Sequence, residues 1–104
     1  MLSIDWDKQN GWHAPQIIPH GPISLETSAT SLHYGISCFE GLSIVKNSQN
    51  NKLQGFRVQE HLDSFLAAGE HLDMPKFDKN ELLDCLKKLV VLDKEWIDWM
   101  GEPD

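Results

Sequence analysis

The sequence carries little positive charge. One arginine, Arg57, and eight lysines face sixteen acidic residues, for a formal net charge of −7 at pH 7. An acidic surface repels nucleic acid and anionic membrane, so neither is favoured as a partner. No basic stripe with interleaved aromatics occurs. No apolar run approaches the roughly 20 residues of a membrane span. The N-terminus, MLSIDWDKQN, lacks the basic and apolar regions of a secretory signal. The two cysteines, Cys38 and Cys85, are far apart and have no paired spacing. That favours buried thiols in a reducing compartment over a disulfide. There is no glycine-rich phosphate loop, internal repeat or low-complexity segment.

What is present suits a globular chain. The hydrophobic fraction is 40%, and four Trp, four Phe and one Tyr supply bulky core candidates. A length of 104 residues allows one domain and is short for two. A core of that size leaves modest stability.

Residues 1–6 alternate as a strand would, with Leu2, Ile4 and Trp6 on one face. Asp7 to Pro22 is rich in Gly, Pro, Asn and His, and is expected as an extended surface loop held by Trp12, Ile17 and Ile18. Thr27 and Ser28 are cap candidates for a helix through SATSLHYGISCFEG (28–41), with Gly41 as its stop. Residues 42–46 and 52–57 flank the turn NSQNN, which predicts a hairpin. A helix follows from about Gln59 to His71, with Leu62, Phe65, Leu66 and Gly69 on one face, and Pro75 ends it. Asp78 and Glu81 open a further helix in the manner of a capping box. Leu82, Leu83, Leu86, Leu89 and Val90 form its apolar stripe, and Asp93 to Trp96 its exit. The final DWMGEPD has no periodicity and reads as a loose tail. The fold class is α+β: a small sheet packed on helices. So small a sheet suggests that part of the unit is missing.

Bare chemistry-bearing constellations are weak. His61 and His71 are ten apart and His13 and His20 seven apart; neither spacing suits zinc, and no metal is expected. Cys38 and His33, five apart on one expected helix, meet at a poor angle for a nucleophile and base. His33, beside Tyr34, could serve as a general base or be structural. Asp78, Glu81 and Asp84 with Lys79, Lys87 and Lys88 read as a solvated helix face.

The segment SLHYGISCFEGLSIV (31–45), with a His-Tyr pair ahead of Phe-Glu-Gly, resembles the branched-chain amino acid aminotransferases. MLSIDW, then GW and PQIIP, is similar to that family's early region. FRVQEHLDSFLAAGEHLDMP (56–75) and FDKNELLDCLKKLVVLDKEWI (77–97) are similar to its next two helices. The likeness is nearly collinear over 1–97, and the tail 98–104 diverges. It implies part of the N-terminal small domain of a type IV fold enzyme. That family uses pyridoxal phosphate and exchanges amino groups between leucine, isoleucine or valine and 2-oxoglutarate. Its cofactor lies between a small and a large domain, and it commonly works as a homodimer.

By that resemblance, Tyr34 and Phe39 match aromatic positions lining the substrate pocket, where rings give a dry wall to an aliphatic side chain. Read without it, both are ordinary core aromatics. Ser64 stands where the family has an arginine reaching the cofactor phosphate. Serine offers one neutral hydroxyl in place of a charged planar fork. Each charged hydrogen bond lost would cost cofactor binding roughly 1.5–3 kcal/mol. Arg57 matches a different family position. Ser43 and Ile44 depart from the lysine and alanine common after Phe-Glu-Gly-Leu, while Lys46 keeps a positive charge. None of the eight lysines matches the one that holds the cofactor covalently. The acidic partner of the pyridine nitrogen and a strand ahead of MLSIDW are unmatched too. The resemblance therefore implies a chain truncated at both ends, inactive alone, whose partner is the remainder of the enzyme or a dimer mate. The alternatives are a non-catalytic interaction or dimerisation module, and a binding domain for an apolar acid or amine. Cytoplasm or mitochondrion is the expected location.

Overall fold

The computed structural model describes residues 1–97. The N-terminal strands are β1 (Leu2–Ser3), β2 (Trp6–Asp7), β3 (Gly11–Trp12) and β4 (Gln16–Ile17). They fold as one interrupted antiparallel hairpin, with Leu2 opposite Ile17 and Trp6 opposite Trp12. Residues 11–12 and 16–17 are thus strand, where the sequence had suggested loop throughout 7–22. The turn explains the difference. The Asp7 carboxylate accepts from the amides of Gln9 (2.9 Å) and Asn10 (2.7 Å), and Gly11 takes φ +71. Between the two ladders, Ile4 and Asp5 face three residues, His13 to Pro15, which makes a bulge. Pro15 has no amide to donate and sits where a ladder bond is not needed.

A short helix, α1, covers Thr30–His33. The expected helix over 28–41 therefore stops early, and neither Thr27 nor Ser28 caps it; Ala29 holds the N-cap without a side-chain bond. Gly35, at φ +65, turns the chain out of the helix. From Cys38 to Ile44 the burial then alternates residue by residue, the mark of extended chain. Cys38, Glu40, Leu42 and Ile44 are half-buried; Phe39, Gly41 and Ser43 are exposed.

Strands β5 (Ile44–Lys46) and β6 (Leu53–Gly55) form the expected hairpin, with Ile44 opposite Gly55 and Lys46 opposite Leu53. Asn side chains build its turn: Asn47 accepts from the Gln49 amide at 2.9 Å and Asn50 from the Lys52 amide at 3.0 Å. Helix α2 (Val58–His71) follows, its core residue Leu62 only 3% exposed. Gly69, on the same face, is buried as well. The helix ends before Pro75 acts. Asp73 takes the left-handed region at φ +61, the Met74 amide reaches Gly69 O at 2.8 Å, and the Asp73 amide reaches Glu70 O at 3.1 Å. These two bonds are a Schellman stop.

Helix α3 (Lys79–Leu92) begins at Asp78, whose carboxylate accepts from the amides of Asn80 (2.9 Å) and Glu81 (3.3 Å). A 3-10 turn, Lys94–Trp96, follows it. Phe65 of α2 meets Phe77 at a ring-centroid distance of 5.7 Å, and Lys79 pairs with Asp63 at 2.5 Å. The Trp12 indole donates to Lys76 O at 2.7 Å, which ties the N-terminal hairpin to the loop between α2 and α3.

The architecture is α+β, with three separate two-stranded antiparallel sheets and three helices among the described residues. The chain exposes 8614 Å², whereas a compact monomer of this size would expose about 6,000 Å². Its radius of gyration is 15.8 Å, against about 13 Å for a close-packed domain of this length. The tail 98–104 lies outside the described residues.

Candidate functional site

The residues singled out from sequence occupy two places. Tyr34 follows α1 as its C-cap and is 78% exposed; Phe39 lies in the extended segment and is 90% exposed. Neither sits on the helix expected for them, and neither is core. Ser64 lies on α2, one turn beyond His61. Among the described residues, no hydrogen bond or ring contact joins the side chains of Tyr34 or Phe39 to Ser64.

Ser64 instead belongs to a polar cluster. Glu40 accepts from His61 Nδ1 at 2.8 Å, and Ser64 lies on the same face of α2 as His61. The His61 and Glu40 side chains are 28% and 24% exposed. The cause of the chemistry is local. His61 and Ser64 are three apart on α2 and so share a face, and the alternation of 38–44 turns Glu40 toward that face. The His61 hydrogen bond holds the Glu40 carboxyl below its usual range; partial burial opposes this, and Ser64 adds to the lowering. Sequence reading passed over Glu40 and treated His61 only as a rejected metal ligand. The usable signal was the alternation of CFEGLSI against a helix that offers two donors at i and i+3.

Other sequence candidates are separated. His33 Nε2 donates to the Thr27 carbonyl, and the Cys38 thiol lies 3.9 Å from Met74 Sδ, so these two form no nucleophile pair. His13 pairs with Asp7, which, aided by the Asn10 amide, keeps the Asp7 carboxyl below its usual value. Arg57 pairs with Glu60 on its own helix. No group of three or more metal-ligating side chains occurs among the described residues. No helix among them is long and apolar enough to cross a membrane.

An apolar concavity lies elsewhere. A cleft of about 470 Å³ opens between the β5–β6 hairpin and α3, lined by Leu42, Ile44, Leu53, Leu83, Leu86 and Val90 among others. The α3 stripe read from sequence as core therefore walls a partly open cleft in this chain. Tyr34, Phe39 and Ser64 are not among its lining residues.

Pyridoxal phosphate is the cofactor implied by sequence resemblance. Ser64 offers a phosphate one neutral hydroxyl, and the Glu40 carboxylate paired with His61 on the same helix face would repel an anion.

No family model matches the chain. Comparison with curated proteins is more informative. The branched-chain-amino-acid aminotransferase of Dictyostelium discoideum is 38% identical over 97 residues, 93% of this chain and 25% of that protein. The cytosolic branched-chain-amino-acid aminotransferase of Ovis aries is 37% identical over 93% of this chain and 25% of its own length. A probable branched-chain-amino-acid aminotransferase of Staphylococcus aureus (strain N315) is 40% identical over 93% of this chain and 26% of its own. The chain is related to the branched-chain aminotransferases. It spans about a quarter of the length of the curated relatives it matches. These aminotransferases include cytosolic and mitochondrial forms, the latter represented by a protein of Rattus norvegicus 35% identical to this chain.

Proposed function

We propose that residues 1–97 form part of the small domain of a branched-chain aminotransferase and that the 104-residue chain does not catalyse transamination by itself. The observation that carries this reading is the 35–40% identity over 97 residues that amount to only a quarter of each relative. One further point supports it: by the sequence resemblance, none of the eight lysines takes the place of the family's cofactor-holding lysine. In this reading Tyr34 and Phe39 supply apolar wall to the substrate pocket, and the partner is the rest of an aminotransferase or a dimer mate.

The expected result is direct. The purified chain with leucine, 2-oxoglutarate and pyridoxal phosphate forms no glutamate above the buffer control. Sustained turnover would overturn the proposal. An amide NMR titration with pyridoxal phosphate adds a second readout, in which the signals of Ser64, Tyr34 and Phe39 are expected to stay in place.

One observation favours a second reading, a non-catalytic interaction or dimerisation module: the 8614 Å² of surface, far above that of a self-contained domain. Sedimentation of the chain at increasing concentration separates a self-associating module from a monomer that lacks its partner.

A further inference from the structure

The segment from Cys38 to Leu42 is held by its side chains. It belongs to no helix or ladder, and among the described residues its amides make no backbone hydrogen bond. Gly35 precedes it and Gly41 lies within it, and glycine leaves the backbone free to wander unless something anchors it. Two anchors are visible. The Cys38 thiol contacts Met74 Sδ at 3.9 Å, just past the end of α2. The Glu40 carboxylate accepts from His61 of α2 at 2.8 Å. The first contact is weak. The second involves an ionised acceptor in a half-buried place and is the stronger of the two.

In extended chain successive side chains point to opposite sides. Fixing Cys38 and Glu40 toward α2 therefore forces Phe39 the other way, which accounts for its 90% exposure. An exposed phenyl ring gains nothing from water, so its outward aim is imposed by its neighbours.

We propose that Glu40, clasped by His61, is a positioning residue that fixes the 38–42 segment on α2 and holds Phe39 outward. That Phe39 so placed serves as pocket wall rests on the functional reading above; the clasp itself does not.

The test is backbone ¹⁵N relaxation on the 104-residue chain and on Glu40→Ala, His61→Ala and the double variant. In the unaltered chain the Phe39 and Gly41 amides are expected at the rigid value, an order parameter of about 0.85. Either single substitution should drop them below about 0.6, the flexible range, and the double variant should drop them no further. Glu40→Gln keeps an oxygen acceptor for His61 and should retain most of the order. The His61 Nδ1 proton signal should vanish in Glu40→Ala, a change that a general loss of packing would not single out. Unchanged order at Phe39 in both single variants overturns the proposal, as does a double variant whose effect is the sum of the singles. If Glu40→Ala collapses the spectrum, His61→Ala decides: mobility confined to 38–42 supports the clasp, and unchanged order refutes it. Leucine titration tests the pocket separately. If the clasp variants loosen Phe39 while leucine leaves its ring signals unmoved, the positioning role stands and the pocket reading falls.

Discussion

Leu62 is the one buried large hydrophobic residue among the described residues, at 3% exposure. Replacing it with alanine should therefore cost more than any comparable change elsewhere in the chain. Leucine to alanine in a protein core removes about 2–5 kcal/mol, the spread reflecting how well the site collapses. The surroundings here are loose, since the other large apolar residues of α2 and α3 are half-buried or exposed. Neighbours can move in, so the lower part of that range applies, about 2–3 kcal/mol. With a urea slope of about 1.5 kcal/mol/M for a small domain, the midpoint should fall by about 1.3–2 M. Equilibrium urea unfolding followed by tryptophan fluorescence measures this, with Trp12 reporting on the contact between the N-terminal hairpin and Lys76. Phe39→Ala is the control: at 90% exposure it should move the midpoint by no more than about 0.5 kcal/mol in stability. A loss below about 1 kcal/mol at Leu62, or an equal loss at Phe39, would mean that the core lies somewhere other than under α2.

Three other outcomes follow from specific contacts. Asp78→Ala removes the acceptor for two orphan amides of α3 and should cost about 1 kcal/mol, most of it recovered by Asp78→Asn; thermal unfolding of the three proteins checks this. Gly55→Ala places a Cβ against the Val58 side chain and 3.0 Å from Ile44 Cδ1, so it should destabilise the hairpin by about 1–3 kcal/mol, readable as lost amide protection in β5 and β6. Glu40 and Asp7 are both held below their ordinary carboxyl values of 4.5 and 3.8. Their contribution is complete above those values and fades as pH falls through the lowered ones, so stability should be level near neutrality and decline below about pH 4.5. Glu40→Gln should flatten the upper part of that decline, and a decline that sets in near pH 6 would point to histidine instead.

Periodicity located α2, α3 and the β5–β6 hairpin from sequence, because each has both a repeating apolar pattern and a local end signal. Asp78 ahead of an apolar stripe is legible as a cap, and NSQNN as a turn, since these residues bond their own backbone. Two regions defied such reading for different reasons. In 7–22 the pairing is held by an Asp7 turn and by partners more than ten residues away, and a bulge at Pro15 hides the alternation. In 28–41 a weakly polar pattern allowed a helix, but Gly35 adopts a left-handed conformation that ends it, and CFEGLSI then alternates with period two. Missing that switch also hid Glu40, whose partners come from α2. The likeness to aminotransferases could be read from ordered motifs, whereas the pairing of His61 with Glu40 depends on the three-dimensional approach of two segments.

Each of the three sheets has only two strands, so every strand described here is an edge. An edge presents unpaired backbone groups and is the usual template for unwanted pairing between chains. Yet no strand exceeds three residues. A ladder that short offers an incoming chain too few bonds to fix a register, and Pro15 interrupts the one place where two of them nearly join. The brevity that makes these sheets weak thus also limits them as seeds for aggregation. The same open edges remain available to a partner whose own strand is long enough to bridge the gaps.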